Sequence, residues 1–168
     1  MRTAVFLRGI NVGGNKKISM AELRAALSKR GYRDPQTLLQ SGNVVLDEVK
    51  PAEIEKVIQE DFGMQVRVII RSHAELKAIV DGNPFKNHED EPSRLAVAFL
   101  DQAPSNVDID PGPYAPDEFV IQGQEIYLWY PAGQANTKLL NPAMLKKLGV
   151  TATGRNWNTV LKMLSLTG

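Results

Sequence analysis

Leu38-Leu39-Gln40-Ser41-Gly42-Asn43-Val44-Val45-Leu46 holds two short apolar runs around a Gly-bearing connector. That pattern predicts a β-hairpin with Ser41-Gly42-Asn43 as its turn. Both flanks then fall into place. On the N-terminal side, Ser19-Met20-Ala21-Glu22 is a capping box, and Met20, Leu23 and Leu27 recur at helical spacing up to a Gly31 C-cap. Before it, Gly9 to Asn15 is a Gly- and Asn-rich loop, and Thr3 to Arg8 is an apolar strand. On the C-terminal side, Pro51 opens a second helix with Ile54, Val57, Ile58 and Phe62 on its inner face. Val66, Val68 and Ile70 then alternate with Arg67 and Arg71, a strand with one solvated or partner-facing side. Strand, helix, hairpin, helix, strand is the split βαβ, ferredoxin-like order.

The second half repeats the theme. Ser72-His73-Ala74-Glu75 is another capping box, which leaves His73 exposed, and Leu76, Ile79 and Val80 follow. Leu95 to Leu100 reads as a strand. Pro104, Pro111, Pro113 and Pro116 mark residues 101–116 as a connector. Phe119–Ile121 and Ile126–Trp129 flank Gln122-Gly123-Gln124-Glu125 as a second hairpin. Asn141-Pro142 caps a helix that Gly149 closes, Thr151 to Thr153 forms a short strand, and Trp157, Val160, Leu161 and Leu164 mark a last helix. The expected fold class is therefore α+β: two tandem ferredoxin-like (α–β plait) lobes packed against each other. The expected lobes are 1–71 (βαββαβ) and 72–168 (a second plait-like lobe), each marginal alone.

Composition narrows the function classes. There is no cysteine, which excludes disulfide frameworks, thiol catalysis and thiolate zinc sites. Two histidines cannot build a His-rich metal centre. The apolar run Ala4–Leu7, closed by Arg8, is shorter than the roughly 7–15 residues of a secretory h-region. No stretch approaches the ~20 apolar residues of a membrane span, so a cytoplasmic protein without membrane contact is expected. The net charge of +1 speaks against a strongly basic nucleic-acid binder, but it conceals a pattern. Residues 1–33 carry +7, residues 34–125 carry −11, and residues 126–168 carry +5. Either the basic ends neutralise the acidic middle, or they converge on one face for an anionic ligand.

Three segments, in order, carry a family resemblance: Phe6-Leu7-Arg8-Gly9-Ile10-Asn11-Val12-Gly13-Gly14, Gln40-Ser41-Gly42-Asn43-Val44, and Thr153-Gly154-Arg155-Asn156-Trp157-Asn158-Thr159-Val160. With Asn83-Pro84-Phe85, they make the chain resemble the bacterial family called domain of unknown function 1697. The resemblance implies two ferredoxin-like lobes and no assigned activity.

The candidate ligand-binding residues are Arg8, Asn11, Gly13, Gly14, Lys16, Lys17, Ser41, Asn43, Arg155, Asn156 and Trp157. Between a strand and a helix N-terminus, Arg8 to Lys17 offers backbone N–H groups and cations to an anion. It has neither P-loop nor Gly-x-Gly-x-x-Gly spacing, and its glycines equally suit plain turns. Ser41-Gly42-Asn43 is equally a tight turn. Arg155 suits a phosphate or carboxylate and Trp157 a stacked ring; the competing reading makes Asn156 an N-cap, Trp157 core, and Arg155 the partner of a carboxylate. His88-Glu89-Asp90-Glu91 offers hard-metal ligands but reads as a solvated loop. No nucleophile–base–acid set is visible, and no metal or cofactor is expected. Three function classes remain. The first is a binding module for a phosphate-bearing ligand, either a nucleotide or RNA. The second is an enzyme on a small anionic metabolite between lobes, and the third is an oligomeric partner protein using a sheet face or edge. Against RNA, the segment Gly42-Asn43-Val44-Val45 lacks the aromatic that an RNA-recognition sheet needs in its third strand.

Overall fold

The computed structural model describes every residue except Gly13 and Asn15. The protein is α+β, with eight strands in two four-stranded antiparallel sheets and five α-helices among the described residues. It divides into two compact units. The first is Met1–Ala78 with Lys162–Gly168, and the second is Ile79–Leu161.

The first unit contains β1 (Thr3–Leu7), α1 (Met20–Lys29), β2 (Gln36–Leu38), β3 (Asn43–Leu46), α2 (Pro51–Phe62) and β4 (Val68–Ser72). The two cuts between units fall inside α3 (His73–Asp81) and α5 (Trp157–Thr167). Strand order is β2-β3-β1-β4. The hairpin forms as expected, with Thr37 opposite Val44, but its turn starts earlier. Leu39 and Gly42 both take positive φ, and Asn43 is the first residue of β3. One face of the sheet packs on the inner faces of α1 and α2: Val5, Leu7, Val44 and Leu46 meet Leu23, Leu27, Ile54 and Ile58. Burying these branched side chains, at about 1.5–3 kcal/mol each, is the main force holding the unit together.

Local signals set the helix ends. Ser19 Oγ accepts from Glu22 N at 3.3 Å, opening α1. Ser72 and Glu75 exchange both bonds of their capping box, at 3.1 and 2.8 Å. Arg30 at the end of α1 clamps Asp61 and Glu60 at the end of α2, at 2.7 and 2.9 Å. The C-terminus returns to this unit. Thr167 O accepts from Arg2 N, and Thr167 Oγ1 lies 3.0 Å from His73 Nδ1, so His73 is half-buried rather than exposed.

The second unit contains β5 (Leu95–Leu100), β6 (Glu118–Gln122), β7 (Glu125–Trp129), α4 (Pro142–Leu148) and β8 (Ala152–Asn156). Its order, β6-β7-β5-β8, matches the first sheet position by position. No α-helix fills its first crossover, where residues 101–117 run as the expected connector with a 3-10 turn at Gly112–Tyr114. Asn141 Oδ1 accepts from Met144 N at 2.8 Å, so the predicted cap on α4 is present. Its core joins Ala98, Leu100, Ile126 and Leu128 to Met144 and Leu148.

Candidate functional site

Antiparallel pairing of β1 with β4 puts Leu7 opposite Val68. The residues just beyond that register are Arg8 and Arg67, and Arg8 N–H donates to Arg67 O at 3.0 Å. Two arginines 59 positions apart in sequence thus leave the same end of one sheet. Lys16 joins them from the loop after β1: its Nζ donates to Gln65 O at 2.8 Å. Arg8, Lys16 and Arg67 line an open groove of about 530 Å³ with Glu55, Gln59, Gln65 and Val66. Glu55 and Gln59 stand one helical turn apart on α2 and share a face. The Glu55 carboxylate accepts from Val68 N at 2.9 Å, which fixes it as part of the groove wall. Three cations against one carboxylate leave the groove net positive.

The loop owes its course to Asn11. At φ 55° its backbone is left-handed, and its N–H donates to Lys16 O at 3.1 Å, closing the loop. Its side-chain amide donates to Ile18 O at 2.9 Å and to Gln40 O at 2.5 Å, while its Oδ1 accepts from Ile18 N. This ties the loop to the hairpin turn. The turn in turn approaches so closely that only glycine fits: Leu7 N donates to Gly42 O, and a Cβ on Gly42 would stand 2.7 Å from Ile10 Cδ1. A second depression of about 490 Å³ is lined by Asn11, Gly14, Lys17, Ile18, Ser19, Glu22 and Gln40.

The sequence candidates thus sort by position. Arg8 and Lys16 line the groove, and Lys17 and Gly14 line the second depression. Gly13 lies outside the described residues. Asn11 builds the loop with the polar atoms that a ligand would need. Asn43 is fully buried in β3 rather than in the turn, its amide donating to Leu38 O at 2.7 Å and Ser41 Oγ at 3.2 Å. Ser41 is exposed in the turn. Arg155, Asn156 and Trp157 belong to the second unit, and strand β8 extends through Asn156, well past the expected Thr151–Thr153. Arg155 is buried, donating to Thr153 Oγ1 at 2.7 Å and Gly154 O at 2.8 Å, and burial pushes its guanidinium down to about 10. It stays charged at neutral pH. Asn156 caps α5, its Oδ1 accepting from Thr159 N at 3.0 Å. Trp157 is 1% exposed, which removes it as a stacking surface. Arg71 is likewise buried, not solvated: β4 starts only at Val68, and Val68, Ile69 and Arg71 are all buried, so of the two arginines expected on a solvated side only Arg67, ahead of the strand, is exposed.

Sequence reasoning missed Glu55, Gln59 and Gln65, and placed Arg67 on a partner-facing side without linking it to Arg8. The missing signal was strand register, which local patterns do not carry. Asn83 of the Asn-Pro-Phe segment holds its own loop, accepting from Phe85 N at 2.9 Å and donating to Glu89 at 2.8 Å. The His88 ring stacks on Trp129 with centroids 3.7 Å apart. No group of three or more ionisable residues able to hold a metal occurs among the described residues. None of their helices is long and apolar enough to cross a membrane.

Two four-stranded antiparallel sheets in one α+β chain find a fold-level counterpart in a solved structure. The conserved bacterial protein SP0830 from Streptococcus pneumoniae is 20% identical with a TM-score of 0.69, over 99% of this chain and 98% of its own. That similarity is one of fold. No curated protein matches. The family model described as "Protein of unknown function (DUF1697)" matches residues 1–127, and the chain belongs to that family.

Proposed function

We propose that this protein is a binding module for a small phosphate-bearing ligand, held in the groove between Arg8, Lys16 and Arg67. The observation that carries the reading is the meeting of those three cations at one sheet end, with a single carboxylate among them. Guanidinium groups suit phosphate because their planar donors match its oxygens. A groove of about 530 Å³ is in the ordinary range for a small-molecule site and admits a mononucleotide. Gln59 and Gln65 add neutral amides for orientation. We read the units as ferredoxin-like (α–β plait) lobes, because their strand orders agree with that arrangement, and the protein as cytoplasmic, because it has no cysteine. Single-stranded RNA is the weaker reading. It needs exposed rings on which bases stack, and every Phe, Tyr and Trp here is buried or half-buried.

Calorimetric titration with inorganic phosphate, a nucleoside monophosphate and a short single-stranded RNA tests the proposal. The expected result is nucleotide binding that weakens as salt rises. Arg67→Ala should weaken it about tenfold or more, one charge-assisted hydrogen bond's worth. RNA binding far tighter than the nucleotide transfers the reading to nucleic acid, and no salt-sensitive binding at all rejects it.

A further inference from the structure

We propose that β6 is a homodimerisation edge, at which a second copy of this chain adds its own β6 antiparallel about a twofold axis through Val120. The inference is independent of the groove. β6 is an outer strand, paired only with β7. The two-residue turn Gly123-Gln124 sets Gln122 opposite Glu125 and so fixes which backbone groups point where. Glu118, Val120 and Gln122 turn their N–H and C=O groups toward β7, while Phe119 and Ile121 turn theirs outward. No hydrogen bond within the chain reaches those outward groups among the described residues. Proteins blunt such edges with short strands, lysine, proline or bulges. The outer strand β2 is three residues long, and on the outer strands β4 and β8 the buried Arg71 and Arg155 donate to the outward carbonyls of Ile70 and Gly154, each at 2.8 Å. β6 has five residues in unbroken one-to-one register, no lysine or proline, and three consecutive half-buried apolar side chains.

The strand is complementary to itself. With the axis at Val120, Phe119 of one copy stands opposite Ile121 of the other and exchanges both backbone hydrogen bonds, and the axis repeats the exchange. Val120 faces Val120. Glu118 faces the neutral Gln122, so no like charges meet. The two Glu118 side chains lie four residues apart along the paired strands, about 14 Å, which exceeds the Debye length of about 8 Å at physiological salt. A second copy always carries this strand at equal concentration, and a twofold axis makes both halves of the pairing alike.

Sedimentation of the full chain from micromolar to millimolar concentration should show the mass doubling. Val120→Lys and Val120→Glu should each remain monomeric, and an equimolar mixture of the two should dimerise again. Because the chain has no cysteine, Val120→Cys supplies a direct readout of the axis. A non-hydrogen-bonded antiparallel pair has Cα atoms about 4.5 Å apart, within disulfide reach, so mild oxidation should link the copies. Glu118→Cys should not link. A monomer at every concentration, a dimer that survives Val120→Lys, or a dimer without the Val120→Cys link each overturns the proposal.

Discussion

Asn11 and Arg8 illustrate how neighbouring residues in one motif do different work. Asn11 directs its amide donors to Ile18 O and Gln40 O, so Asn11→Ala leaves carbonyls without their donor. We expect it to lower stability by about 1–3 kcal/mol in urea unfolding. Arg8 is exposed in the groove, so Arg8→Ala should weaken binding more than it lowers the unfolding midpoint. Gly42 is the strictest position. At φ 94°, with Ile10 and Leu7 within 3 Å of any added Cβ, Gly42→Ala combines backbone strain with overpacking. A loss of about 2–4 kcal/mol is expected. The glycine of the turn was legible in the sequence, but its reason was not. Sequence suggested turn chemistry alone, whereas the closer constraint is the approach of Ile10, which comes from a distant loop. Trp157 was legible as core by its place in an apolar stripe, and the burial of Arg155 was not, since charge gives no hint of desolvation.

Among the elements, capping signals proved the most readable. Ser72-x-x-Glu75 forms the reciprocal box that its spacing predicts, so Ser72→Ala should cost about 1 kcal/mol, read from the unfolding midpoint. Helix α4 begins at Pro142 for the same local reason. Strand ends were less readable. β8 runs through Gly154-Arg155-Asn156, residues of poor strand propensity, because pairing with β5 places Arg155 opposite Val97 and Asn156 opposite Ala96. Tertiary pairing overrides local preference there. The same holds for Asn43, which reads as a turn residue and is instead the first pair of β3 with β1.

For the whole molecule, the charge pattern has a structural counterpart at its N-terminal end. Part of the +7 of residues 1–33 is offset by acids of the following segment: Arg2 and Arg33 meet Asp47, and Arg30 meets Glu60 and Asp61. Their guanidinium groups hold the Asp47 and Asp61 carboxyls below the usual carboxylate range, chiefly by hydrogen bonding. A depressed carboxylate stabilises the fold above its unfolded value and loses that contribution as pH falls through its folded value. Stability should therefore decline on acidification below about pH 4, with a shallower decline in Asp61→Asn. These pairs are exposed, so the effect should be small and should shrink further in high salt. Of the other five cations of that segment, Arg24 and Lys29 belong to α1, while Arg8, Lys16 and Lys17 flank the loop after β1, where Arg67 lines the groove with Arg8 and Lys16. Amide NMR of the labelled protein during titration with a nucleoside monophosphate tests that claim most directly. Shifts concentrated at Arg8, Lys16, Gln65 and Arg67, fading as salt rises, are predicted. Shifts absent from those residues, or strongest elsewhere in the chain, would contradict the assignment of the groove.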